Sequence, residues 1–209
     1  MEGPVSIGVA LAGGEALGSV IALIGLPGAG KSAVAPLLAA RLRWGWADLD
    51  EEIARAAGAP VPELLRGRGE PAFRALEARA LEAALDAERG PAGPAAVPGP
   101  APGRVLACGG GILSPVGNRA LLRERAFVVW LRVSPRSAAA RLGAALAAER
   151  PLLDGAGSLE ARIAALEAGR RGLYEAAADV VVSTDGRAPA EIAEEILAAW
   201  GARWGSSGS

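Results

Sequence analysis

Short apolar runs rich in Val, Ile and Leu alternate along this chain with longer stretches in which Ala and Leu recur every three or four residues. Ser19 to Ile24 (SVIALI) ends at Gly25, and such an unbroken run marks a strand buried on both faces. Arg104 to Cys108, Ala126 to Leu131 and Asp179 to Ser183 predict three more strands, and Trp46 to Asp48 a shorter fifth. Lys31 to Arg43, Glu70 to Glu88, Pro135 to Ala148, Leu159 to Ala178 and Pro189 to Trp200 set Arg and Glu opposite their Ala/Leu stripes, which predicts amphipathic helices. Parallel strand neighbours need crossovers of about a dozen residues or more, so the alternation predicts an α/β fold with a five-stranded parallel sheet covered by helices on both faces.

Three stretches fall outside the pattern. Residues 1–18 are rich in Gly and Ala with little period and read as a flexible extension. Gly90 to Gly103 (GPAGPAAVPGPAPG) holds five prolines and four glycines, which rules out helix or central strand and predicts an exposed loop inserted before the strand at Arg104. Residues 204–209, with the run GSSGS, read as a tail. Residues 19–203 then suit one domain.

Composition narrows the chemistry. Apolar residues make up 51% and charged residues 22%, enough apolar surface to support a core. A net charge of −1 provides no overall field for nucleic acid or anionic lipid. There is no histidine, so carboxylates, Lys, Arg and hydroxyls must carry any reaction. Cys108 is the only cysteine, which excludes an intramolecular disulfide and suits a reducing compartment. Without an apolar run of about eighteen residues or a basic leader, no membrane partner is expected and the cytoplasm is the default address.

The strongest local signal is GLPGAGKS at Gly25 to Ser32, a match to G-x-x-x-x-G-K-[ST] between a predicted strand and a predicted helix. Backbone amides from Gly28, Ala29, Gly30 and on to Ala33 would wrap ATP phosphates, aided by the helix dipole. Lys31 would reach the β- and γ-phosphates, and the Ser32 hydroxyl would ligate Mg²⁺. Farther on, Asp48 and Asp50 close a short strand, where ligands of open α/β sheets bind. Asp48 suits Mg²⁺ through its water shell, and Asp50 suits an acceptor hydroxyl and its proton. Either acid would serve equally as the N-cap of a helix at Glu51 to Ala57.

Taken in order, GLPGAGKS, DLD (Asp48 to Asp50), GEPAFRALE (Gly69 to Glu77), CGGGI (Cys108 to Ile112) and RPLL (Arg150 to Leu153) resemble the shikimate kinase family of P-loop kinases. RRGLY (Arg170 to Tyr174) and STDGRAP (Ser183 to Pro189) add to the likeness, which runs from about Ser19 to Trp200. The resemblance implies a P-loop NTPase three-layer sandwich with a mobile lid around Gly143 to Asp154 and an acceptor-binding region around Ile53 to Glu88. It implies ATP-dependent phosphorylation of the shikimate 3-hydroxyl, in chorismate and aromatic amino acid biosynthesis, by a monomer. Lys31, Asp50 and Arg150 would be catalytic, with Arg150 closing over the phosphates from the lid. Arg74 and Arg170 would grip the carboxylate in the two-pronged way open to arginine, with Glu77 orienting Arg74. Gly109, Gly110 and Gly111 would let the acceptor approach backbone, Gly110 being the central contact. Arg187 matches the position flanking the adenine, and Arg141 is a further candidate for phosphate contact.

The chain departs from the family pattern at several points. Ala33 replaces the usual hydroxyl residue, the span from Arg141 to Arg150 is slightly long, Gly172 stands where proline is common, and Arg170 and Arg171 compete for one role. Tyr174 and Cys108 read as packing residues. Arg74 with Glu77 also fits a surface helix pair, and the glycine run a plain turn. A kinase for gluconate or a nucleoside and a non-catalytic nucleotide-binding module are the rival readings.

Overall fold

The computed structural model describes residues 19–86, 103–148, 153 and 156–204. The expected N-terminal extension, nearly all of the Pro/Gly-rich insert, Arg150 with its neighbours in the expected lid, and the last five residues lie outside the described residues.

Five strands, β1 (Val20–Ile24), β2 (Gly45–Asp48), β3 (Arg104–Ala107), β4 (Phe127–Arg132) and β5 (Val180–Ser183), form one sheet in the order β2-β3-β1-β4-β5. Every neighbouring pair is parallel, with Ile21 opposite both Val105 and Phe127. The fold class expected from the alternation of runs is therefore the one observed. Central β1 is buried at all five positions, which is why its run contains no polar residue.

The helices are α1 (Lys31–Leu42), α2 (Leu49–Ala57), α3 (Val61–Asp86), α4 (Val116–Arg125), α5 (Pro135–Ala148), α6 (Leu159–Ala177) and α7 (Pro189–Trp204). Helix α1 packs on α7, while α4 packs on α3 and α6, and α6 on α5. Among the described residues no helix is long and apolar enough to cross a membrane.

Three differences from the expected elements have local causes. Helix α4 was not expected, because its ten residues bury only Asn118 and Leu122 and leave too narrow an apolar stripe to show. Its position is held by Asn118, whose Nδ2 donates to the Ile112 carbonyl at 2.9 Å. Helix α3 begins at Val61, well before the expected Glu70, and breaks at Gly69 (φ 76°, ψ 164°), a conformation open to glycine. Helix α7 runs on to Trp204.

Most buried apolar residues form one core around the sheet. A second cluster of Ile53, Leu64 and Phe73, flanked by Val61, Leu65 and Leu76, joins α2 to α3. Each of its three buried side chains stabilises this lobe by about 1.5–3 kcal/mol relative to exposure. The lobe holds Asp50 and Arg74 in place at the carboxyl end of the sheet.

Candidate active site

The phosphate loop joins β1 to α1 at the centre of the sheet. Gly28 takes φ 80° and lies so close to α5 that a methyl group there would sit 2.9 Å from the Ala138 carbonyl oxygen, so no other residue fits. Gly30, at φ 92°, stands at the N-cap of α1, and no side chain caps that end. The loop is tightened by its own backbone, with the Ala29 amide donating to the Leu26 carbonyl and the Ala33 amide to that of Gly30. Lys31 Nζ folds back and donates to the carbonyls of Gly25 and Leu26, both at 2.9 Å.

Ser32 and Asp48 meet across the end of the sheet. The Ser32 hydroxyl donates to Asp48 Oδ2 at 2.5 Å, and Asp48 Oδ1 accepts from the Asp50 amide at 3.0 Å. The two readings of Asp48 are thus compatible: one oxygen caps α2, and the other turns to the P-loop serine. One hydroxyl and one carboxylate form a hard oxygen pair, which fits Mg²⁺, a cation that keeps several waters and takes few protein ligands beside phosphate.

Beyond β3 the chain runs through Gly109, Gly110 and Gly111. Two turn bonds, Ile112 N to Gly109 O and Ser114 N to Gly111 O, hold this segment. Each glycine faces a different charged group. A methyl on Gly109 would lie 2.7 Å from Asp50 Oδ1 and 2.8 Å from Glu77 Oε1; on Gly110, 3.2 Å from Arg170 Nη1; on Gly111, inside the Arg74 guanidinium. A plain turn would not need three such residues. Pro27 of the phosphate loop lies 3.3 Å from the same Gly110 position, so the charged cluster abuts the loop directly.

Arg74 Nη1 donates to Glu77 Oε2 at 2.8 Å, and Nη2 to Glu70 Oε1 at 2.8 Å. The Arg74 side chain is 12% exposed and that of Glu77 is 1%, so this is a buried pair and not a solvated helix face. Burial pushes the Glu77 carboxyl up, against the pull of Arg74. For Arg74 burial acts to lower the pKa, and Glu77 with Glu70 reverses it to a net rise. Glu77 Oε1 is buried with no hydrogen-bond partner, an acceptor left over beside Gly109.

The two competing arginines separate. Arg170 Nη1 donates to the Gly110 carbonyl at 2.9 Å, whereas Arg171, 58% exposed, pairs with Glu167 one turn back. Arg187 Nη1 is tied to Glu195 Oε2 of α7 at 2.5 Å and to the Ser183 carbonyl at the end of β5. Arg141 does reach that loop, donating to the Gly28 carbonyl at 3.2 Å and to Thr184 Oγ1 and O. Tyr174, read from the sequence as packing, stacks on Trp130 and also donates its hydroxyl to the Gly110 carbonyl at 2.7 Å. The available signal was its place four residues after Arg170, on the same helix face. Cys108 is buried, and burial pushes its thiol far up, so it remains a protonated packing residue.

A parallel sheet in this strand order, with GLPGAGKS at the turn after its central strand and an acid and two guanidinium groups beside that turn, belongs to a P-loop phosphotransferase. The family model described as shikimate kinase matches residues 27–200. The shikimate kinase of Streptomyces coelicolor is 40% identical over 178 residues, covering 85% of this chain and 93% of the relative. That of Moorella thermoacetica is 38% identical over 183 residues, covering 86% and 95%. Among solved structures, the shikimate kinase of Acinetobacter baumannii in complex with shikimate aligns with a TM-score of 0.76 at 29% identity, covering 91% of this chain and 96% of that one. The chain belongs to the shikimate kinase family.

Proposed function

We propose that this enzyme transfers the γ-phosphoryl group of ATP to the 3-hydroxyl of shikimate, with each residue of the charged cluster in a separate role. The observation that carries the reading is the convergence of Asp50, Arg74 and Arg170 on one glycine run in contact with the phosphate loop. An acidic polyol needs a cationic fork for its carboxylate and an acceptor for its hydroxyls, and those three side chains supply both. A nucleoside offers no carboxylate to Arg74 and Arg170.

The phosphates would lie along the loop amides, drawing Lys31 Nζ from the Gly25 and Leu26 carbonyls towards their charge. Arg74 and Arg170 would orient the ring through its carboxylate, so that one hydroxyl faces the γ-phosphorus and Asp50 takes its proton. The new P–O bond forms as the bond to the departing ADP oxygen breaks. Ser32 and Asp48 would hold Mg²⁺, which when bound neutralises phosphate charge. Arg150 would add a cation from the lid side. The shikimate complex of the Acinetobacter relative supports the acceptor, and the buried free thiol of Cys108 suits the reducing cytoplasm.

An ADP-release assay at fixed Mg·ATP, run with shikimate, quinate, gluconate and nucleosides, tests the proposal. Shikimate should stimulate ATP use most strongly. Absence of any stimulation by shikimate would overturn the assignment, and a fully active Lys31→Ala enzyme would overturn the mechanism.

A further inference from the structure

Tyr174 is buried to 1% exposure on α6, one turn beyond Arg170, and its ring stacks on Trp130 of β4 with centroids 5.5 Å apart. Its hydroxyl donates to the Gly110 carbonyl at 2.7 Å, and Arg170 Nη1 donates to the same oxygen at 2.9 Å. A carbonyl oxygen has two lone pairs, so the two donors fill it. Gly110 also abuts the phosphate loop, since a methyl there would lie 3.3 Å from Pro27. The peptide that carries this carbonyl is therefore held between α6 and the loop.

We propose that Tyr174 is a positioning residue of the acceptor site, whose hydroxyl holds the Gly110 carbonyl in place and so leaves Arg170 able to turn its donors to the acceptor's carboxylate. The inference rests on the acceptor reading given above. If Arg170 were the sole partner of that carbonyl, swinging it to a ligand would leave a part-buried acceptor without its protein donor, and part of the binding energy would be lost to that vacancy. With Tyr174 in place the carbonyl keeps a partner whether or not Arg170 remains on it, and the glycine run keeps one conformation in both states. A phenol suits the task because it is rigid, neutral and anchored by its stack on Trp130. Burial pushes its pKa up, against Arg170, which favours the protonated, donating phenol.

Tyr174→Phe preserves the ring and its stacking and removes only the hydroxyl. The expected result is a roughly three- to tenfold rise in KM for the acidic acceptor, the scale of one neutral hydrogen bond, with KM for ATP and the unfolding midpoint little changed. In an Arg170→Lys background the same substitution should have a markedly smaller effect, because the two residues act through one carbonyl. Trp130→Phe provides the contrast: it loosens the packing but leaves the hydroxyl bond, and should lower stability without a matching rise in acceptor KM. Equal rises in both KM values, no change in either, or a Trp130→Phe enzyme that reproduces the Tyr174→Phe kinetics would each overturn the proposal. The split between the two KM values can be read with whichever acid the wild-type enzyme phosphorylates, so failure of shikimate as acceptor and failure of Tyr174 as a positioning residue are distinguishable.

Discussion

Asp50 and Glu77 reach the same glycine from two different helices, their nearest oxygens 2.7 and 2.8 Å from where a Gly109 side chain would begin. Two carboxylates converge there because each has its own restraint: Asp50 sits in the first turn of α2, behind the cap supplied by Asp48, and Glu77 is paired to Arg74.

Gly109→Ala should therefore disable the enzyme without unfolding it. The methyl cannot be placed unless Asp50 or the glycine run moves, and a displacement of about 1 Å at a reacting group costs on the order of a hundredfold in rate. The expected outcome is that loss in kcat/KM for the acceptor, with nucleotide binding retained. Acceptor kinetics and ADP titration on the same variant check it, and a near-normal kcat/KM would show that Asp50 does not need this place.

Glu77 carries a pH signature. Burial raises its pKa above the ordinary value of 4.5, so its folded form binds a proton more tightly than its unfolded form. Its contribution to stability is then fully present below the unfolded pKa and is lost as pH rises through the folded one. Glu77→Gln lacks that loss, although it also weakens the Arg74 pair, and should gain stability relative to wild type as pH rises from about 4 to 7. Urea unfolding midpoints of both proteins across that range test this, and a difference that stays constant or narrows in the opposite sense would refute it. Arg74 and Arg170 pull Glu77 down and Asp50 pushes it up, so the steepest part of the trend reports their balance.

How far the chain could be read in advance follows from how local each signal is. The phosphate loop and the five strands declare themselves within eight residues or fewer, because backbone conformation and burial there are set by neighbours in sequence. Helix α4 does not, since its attachment runs through Asn118 and one leucine. The run Gly109 to Gly111 was visible as glycines, but the three charged groups behind it come from α2, α3 and α6, and only folding reveals that each glycine clears a different one. Asp48 was ambiguous between cap and cation ligand because its two oxygens take separate partners. Tyr174 has an apolar ring and a polar tip, and sequence displays only the ring's preference for the core.

Ser32→Ala removes the hydroxyl that meets Asp48 at 2.5 Å. Asp48 keeps its bond from the Asp50 amide, so the start of α2 should survive and the effect should fall on the cation. A hydrogen bond to a charged group contributes about 1.5–3 kcal/mol, so the Mg²⁺ concentration for half-maximal activity should rise roughly ten- to a hundredfold. Titrating Mg²⁺ at constant ATP checks the shift. An unchanged midpoint would place the cation elsewhere.

Arg170 and Arg171 provide the sharpest contrast, because neighbouring residues of one type on one helix differ only in where their side chains go. Arg170 is held against the Gly110 carbonyl beside the phosphate loop, whereas Arg171 reaches out to solvent and pairs with Glu167 one turn back. The Arg171 side chain is 58% exposed while its partner Glu167 is only 11% exposed, and glutamine can still donate to that carboxylate, so Arg171→Gln should lower the melting temperature modestly and leave activity close to wild type. Arg170→Gln withdraws a cation from the acceptor's carboxylate and should lower kcat/KM for that acceptor by roughly a hundredfold, as expected for a charge-assisted contact. Equal losses in the two variants would mean that the carboxylate is held by the charge of the helix as a whole, and the assignment of Arg170 would fail with it.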